Sequence, residues 1–185
     1  GVAYTAPDYP GSTGDPITAT GTGTLQLKAE GGSGPATAKP ADGGLVSTAA
    51  LGITPAKATN AVDVTVTAPS STAMLLGAPH LQFTYTGTAG SGDRPERVFA
   101  QLVDDSTGLV LGNQVTPIEI TLDGQQHTAD VQLEMIAHQL APGTTLTLQL
   151  VASTVAYAQP QFGGTVQFAS INLSIPTITG ATPAT

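Results

Sequence analysis

Apolar residues in this chain recur at every second position and almost never at the three- and four-residue spacing of a helix face, and the runs that carry them are short. Leu81, Phe83 and Tyr85 alternate with Gln82, Thr84 and Thr86, and Leu146, Leu148 and Leu150 alternate with Thr145, Thr147 and Gln149. Period two puts successive side chains on opposite faces of a strand, so each run has one face for a core and one for water. The chain therefore reads as all-β and antiparallel. Strands are predicted at 22–28, 62–67, 75–76, 81–86, 97–103, 109–111, 118–122, 131–135, 144–152 and 165–175, about nine once the shortest are merged, which suits a sandwich or a barrel. Near Ala169 and Ser170 the alternation changes phase, from Val166 and Phe168 to Ile171, Leu173 and Ile175, which predicts a bulge or bend. Residues 104–108 combine two Asp with Gly108 and predict the turn of a hairpin. Residues 134–139 could also make a helical turn before Pro142; a strand running into a short turn is preferred.

At 185 residues the chain has room for one domain. Residues 1–60, rich in Gly, Thr and Pro, read as an extended lead-in with one strand, residues 61–176 as the sandwich, and residues 177–185 as a flexible tail. The first residues hold neither an initiator Met nor a basic segment followed by an apolar one, so the sequence reads as a mature form or a fragment.

Five Lys and Arg against 13 Asp and Glu give a formal charge of −8. That leaves no basic field for nucleic acid or anionic lipid. No apolar run approaches the roughly 18–20 residues of a spanning helix. With no Cys, disulfides, thiol nucleophiles and thiolate metal sites are excluded together. Only 10% of residues are charged, and Thr, Ala, Gly, Gln and Ser stand in their place.

An α/β-type serine hydrolase lifts its nucleophile on a Gly-x-Ser-x-Gly turn. The nearest sequence, Gly31-Gly32-Ser33-Gly34-Pro35, ends in Pro and precedes no helix, so it reads as a linker and no catalytic residue is assigned. His80, His127 and His138 are scattered singly and read as surface or strand-end residues rather than as a zinc site. Asp104 and Asp105 are adjacent acidic residues in a turn, a pattern that suits a calcium ion, although a solvated turn is the preferred reading. No cofactor is expected. Glu119, Asp130 and Glu134 read as charges on outer faces that discourage edge pairing. Phe83, Tyr85 and Phe99 fall in the core by alternation. Tyr157, Gln159 and Phe162 form the most plausible contact loop, in competition with rings that merely pin that loop to its own domain.

Several stretches in order carry a resemblance. Leu76-Gly77-Ala78-Pro79 precedes an alternating strand, Val98 through Asp105 precedes a Gly turn, Pro142-Gly143 precedes Thr144 through Leu150, and Ser170-Ile171-Asn172-Leu173-Ser174-Ile175-Pro176 closes the core. Over residues 76–176 this succession resembles the C-terminal non-catalytic domain of the X-prolyl dipeptidyl peptidase and cocaine esterase family. The resemblance implies a galactose-binding-like jelly roll that packs on an α/β-hydrolase catalytic domain, in the same parent chain or a separate one, and helps wall its substrate cleft. It also implies that the triad lies elsewhere. Where that family commonly has Gly-His-Arg, this chain has Gly143-Thr144-Thr145.

Two other readings stay open: a carbohydrate- or cell-surface-binding module, and a structural subunit whose N-terminal segment adds to a neighbour's sheet edge, with self-association. The composition favours secretion or the cell surface over the cytoplasm.

Overall fold

The computed structural model describes residues 4–5, 12–35, 54–90, 96–157, 163–180 and 182–183. Among them there is no helix, and therefore none long and apolar enough to cross a membrane. The strands are β1 (Tyr4–Thr5), β2 (Ser12–Thr13), β3 (Ile17–Gln26), β4 (Ala61–Thr67), β5 (Ala73–Gly77), β6 (His80–Ala89), β7 (Glu96–Asp104), β8 (Leu109–Ile120), β9 (Asp123–Gln132), β10 (Ile136–Leu140), β11 (Thr145–Val151), β12 (Gly164–Ile175), β13 (Thr177–Thr179) and β14 (Thr182–Pro183). They form three four-stranded sheets, ordered β3-β12-β6-β9, β4-β11-β7-β8 and β10-β5-β13-β2, and a two-stranded pair of β1 with β14. Every paired strand is antiparallel.

The first two sheets fill one core. Leu25, Leu81, Phe83, Phe168, Ile171 and Leu173 come from one, and Val62, Val64, Val98, Leu102, Leu146, Leu148 and Leu150 from the other. Two strands of the third sheet are connections, and the other two, β2 and β13, precede and follow the strands of the large sheets. β5 lies between β4 and β6, and β10 between β9 and β11, so each joins one large sheet to the other. They pair along their whole length, and Leu75, Ile136 and Leu140 enter the main core.

The alternating runs form strands as the sequence implies, and the phase change in β12 is a register shift between Phe168 and Ile171. Several boundaries differ. Residues 109–111 and 118–122 mark two ends of one strand, β8, and Asp104 pairs with Leu109 across the hairpin. Pro117 is tolerated in β8 because that strand is an edge. β9 starts eight residues earlier than the predicted strand; its outer face is exposed and its inner face only half-buried, so it shows little apolar alternation. Residues 134–139 make no helical turn, because β10 takes its hydrogen bonds from β5. The lead-in carries more than one strand: β3 pairs with β12 from Ile17 to Gln26, and Leu25 and Leu27 are buried. The tail read as flexible carries β13, held between β5 and β2, with the Thr177 hydroxyl donating to the Asp15 carbonyl at 2.8 Å.

Candidate functional site

The β7–β8 turn gathers several charged and hydroxyl groups. Gly108 takes the positive φ of 71° that closes it. Asp104 Oδ1 accepts from the Ser106 backbone N–H at 2.9 Å and from the Ser106 hydroxyl at 2.7 Å, so this carboxylate caps its own turn. Asp105 turns toward the sheet. Its carboxylate meets Lys57 Nζ at 2.6 Å and accepts from the hydroxyls of Thr145 and Thr147, each at 2.8 Å. Burial would raise both carboxyls, yet hydrogen bonds outweigh it and hold both below the ordinary range. Ser106, Thr107 and the nearby His138 act on Asp104, and Lys57, Thr145 and Thr147 act on Asp105. The two carboxylates thus have separate jobs, one in the turn and one in an ion pair. No group of three His, Asp or Glu able to hold a metal occurs among the described residues.

A pH dependence follows. A carboxyl whose folded pKa lies below its unfolded value of about 3.9 binds fewer protons when folded, so its contacts stabilise fully above that value. The contribution is lost as pH falls through the folded value. Asp105→Asn is expected to cost about 1–2 kcal/mol at pH 7 and to converge on the parent protein as pH falls through the folded value of Asp105. Lys57→Met is expected to cost only about 0.5 kcal/mol, because that side chain is 42% exposed. Urea unfolding at pH 7 and at successively lower pH checks this, and an Asp105→Asn deficit that does not shrink at all as the solution is acidified would contradict the ion-pair account.

Of the contact loop, Tyr157 is described, whereas Gln159 and Phe162 lie outside the described residues. Tyr157 is 43% exposed, and its ring stacks on Phe99 with centroids 5.5 Å apart. Phe99 is itself buried on the outer side of its sheet with Val103, Val110, Val115 and Val151. This ring covers a small apolar cluster. His80 Nε2 lies 2.6 Å from Asp130 Oδ1 and His127 Nε2 lies 2.9 Å from Asp123 Oδ1. Asp123 is held below the ordinary range by the Gln125 backbone N–H and by His127. Among the described residues no serine hydroxyl bonds to either histidine. Arg97 meets Glu119 at 3.3 Å on the exposed edge.

The most extensive buried polar cluster was not signalled by any motif. On the outer side of β4-β11-β7-β8, Gln149 stands opposite both Asp63 and Gln101, and residues 54–60 cross over this row. Ser33 bonds to Ser153 and Ala56 and adds a second crossing. Gln101 and Gln149 read as an exposed face by alternation alone; the signal that could have located them is the Gly-rich lead-in, which has no core of its own.

No family model matches the sequence, and no curated protein proves similar to it. Solved structures do match. An aminopeptidase from the marine sediment archaeon Thaumarchaeota archaeon superposes with a TM-score of 0.59 at 9% identity, over 97% of this chain and 37% of that one. Its fold recurs inside larger enzymes. An alpha-amino acid ester hydrolase matches with a TM-score of 0.55 at 12% identity, over 86% of this chain and 32% of that one. A CocE/NonD family hydrolase from Staphylococcus aureus matches at 0.49 and 13% identity, over 64% of this chain and 30% of its own. This chain thus spans about a third of the length of the proteins whose fold it shares, and at these identities the likeness is one of fold.

Proposed function

We propose that this chain is the non-catalytic accessory domain of a larger α/β-hydrolase, a peptidase or esterase, that packs on the catalytic portion of the same polypeptide and helps shape its substrate cleft. The observation that carries the reading is the asymmetry of the structural match: nearly the whole of this chain, 97%, corresponds to only 37% of an aminopeptidase. The strand order supports a jelly roll. Taken along the chain, β3, β4, β6, β7, β8, β9, β11 and β12 fall to the two large sheets in the sequence first, second, first, second, second, first, second, first. That is the winding produced when a long antiparallel ribbon folds over on itself, as in jelly rolls. The lack of a Gly-x-Ser-x-Gly turn agrees with a triad carried elsewhere.

The test is to express both the 185-residue chain and the complete open reading frame that encodes it, and to assay each against aminoacyl p-nitroanilides and amino-acid esters. The longer polypeptide is expected to turn over one of these classes and the isolated chain neither. An open reading frame without a hydrolase segment, or turnover by the isolated chain, overturns the proposal.

A further inference from the structure

The third sheet has two unlike faces. Directly opposed residues in an antiparallel pair share a face, and neighbours along a strand alternate. Leu75, Ile136 and Leu140 therefore define the inner face, and all three are buried in the main core. The outer face carries Leu76 opposite Ala137, Met74 between Gln139 and Ile178, and Thr13 opposite Ile178, so its uncharged surface is mainly but not wholly apolar. Ala137 is exposed, and Met74, Leu76 and Ile178 are half-buried rather than enclosed. β2, β5, β10 and β13 contain no Asp, Glu, Lys or Arg. Of the four edge strands of the large sheets, β4, β8 and β9 carry Asp63, Glu119, Asp123 and Asp130, the charges by which a sheet keeps other chains away, and β3 carries none. Met135, one residue before β10, is 58% exposed. Both methionines of the chain thus lie in or beside this sheet, and the flexible thioether is a side chain that adapts to a partner's contour.

Described strands from the N- and C-terminal parts of the chain pair with one another. Ser12 and Thr13 pair with Thr179 and Ile178 at the edge of this sheet, and Tyr4 and Thr5 pair with Pro183 and Thr182. The chain segments N-terminal to β2 and C-terminal to β13 therefore leave from neighbouring strands of this sheet.

We propose that the outer face of the third sheet, centred on Met74, Leu76, Ala137 and Ile178, is the surface on which the catalytic portion of the longer polypeptide docks, through an uncharged apolar patch of its own. This rests on the accessory-domain reading above. Two facts favour that occupant: β2 and β13, from the N- and C-terminal parts of the chain, pair in this sheet, and chains of the same fold are about three times as long. An apolar face of this kind is stable when a partner removes it from water.

The absence of Cys makes the test direct. Ala137→Cys and, as a control on the exposed outer face of β9, Thr128→Cys are introduced separately into the 185-residue chain and into the complete polypeptide. Maleimide labelling of each is followed by peptide mass spectrometry alongside the hydrolase assay. In the isolated chain both cysteines are expected to label quickly. In an active longer polypeptide, position 137 is expected to label about tenfold or more slowly while position 128 is unchanged, the protection of a closed interface. Equal labelling of position 137 in both proteins, with hydrolase activity present, overturns the docking face and leaves the accessory-domain reading standing. Slowing at 128 as large as at 137 also overturns it, because the covered surface is then not specific to this sheet. A polypeptide without a hydrolase segment removes the accessory-domain reading and this occupant with it.

Discussion

Gln149→Leu is expected to cost about 4 kcal/mol, more than any surface substitution in the chain, because one buried amide satisfies four other groups. Its Oε1 accepts from the Ala58 backbone N–H at 2.8 Å and from Gln101 Nε2 at 3.0 Å. Its Nε2 donates to the Ala58 carbonyl at 3.0 Å and to Asp63 Oδ1 at 2.9 Å. Leucine has a similar volume, so the substitution opens little space; what it removes is every partner of Ala58 that lies in β11. A buried donor or acceptor left alone costs about 1–3 kcal/mol, and the substitution takes this partner from the Ala58 N–H and C=O and from Gln101 Nε2 together. Gln101→Leu provides the comparison. It removes one bond to Gln149 and a long one of 3.4 Å to the Ala56 carbonyl, and is expected to cost about 1–2 kcal/mol. Chemical denaturation measures both, and amide exchange at Ala58 should accelerate in Gln149→Leu before global unfolding does. A Gln149→Leu protein within 1 kcal/mol of the parent would show that residues 54–60 are held by their backbone bonds to Gly108 and Val110 instead.

That amide row also marks where sequence reasoning stops. Alternation is a property of one strand, and it separates the two faces of β11 correctly: Leu146, Leu148 and Leu150 go to the core. It is silent on what covers the opposite face. Thr147 and Gln149 look like solvent-facing residues until a segment some 90 residues earlier in the chain is laid across them. Asp105 is similar. As half of an acidic pair in a turn it suggests a cation, but its observed partners are Lys57, 48 residues before it, and Thr145 and Thr147, about 40 after it. Short-range spacing cannot reveal partners set by topology. β9 was hidden for another reason: an edge strand with a half-buried inner face places no strong demand on residue type, so Gln125, Gln126 and Thr128 suffice. The two-residue run at Leu75 and Leu76 was too short to assign faces, although one side chain enters the core and the other lies on the outer face of the third sheet. By contrast, the turn at 105–108 and the bulge in β12 were legible, because each is written in adjacent residues.

The β12 bulge leads to the second large effect. Phe168 is the last residue before the register shift, and the extra residue there lets both Phe168 and Ile171 face inward. The Phe168 ring meets Phe83 edge-on with centroids 5.2 Å apart, and lies 6.5 Å from the Tyr85 ring. None of its neighbours is free to fill its place. Tyr85 is fixed by its hydroxyl, which accepts from the Thr121 backbone N–H at 2.9 Å. The residue opposite Phe168 on β3 is Gly23, where a Cβ would strike Val62 Cγ1 at 2.7 Å, so the Val62 side chain already packs against the β3 backbone on that side. A core site that cannot collapse carries the full cavity term in addition to the lost transfer energy. Phe168→Ala is therefore expected to destabilise by about 4–5 kcal/mol, and Phe168→Leu, which keeps most of the volume, by about 1–1.5 kcal/mol. For a chain of this size the alanine variant should melt on the order of 10 °C lower, with an unchanged denaturant slope if the native sheets stay in register. A loss below 2 kcal/mol would mean that β3 and β12 close over the gap, and the close approach of Gly23 to Val62 would then not be the limit on how far the sheets can move together.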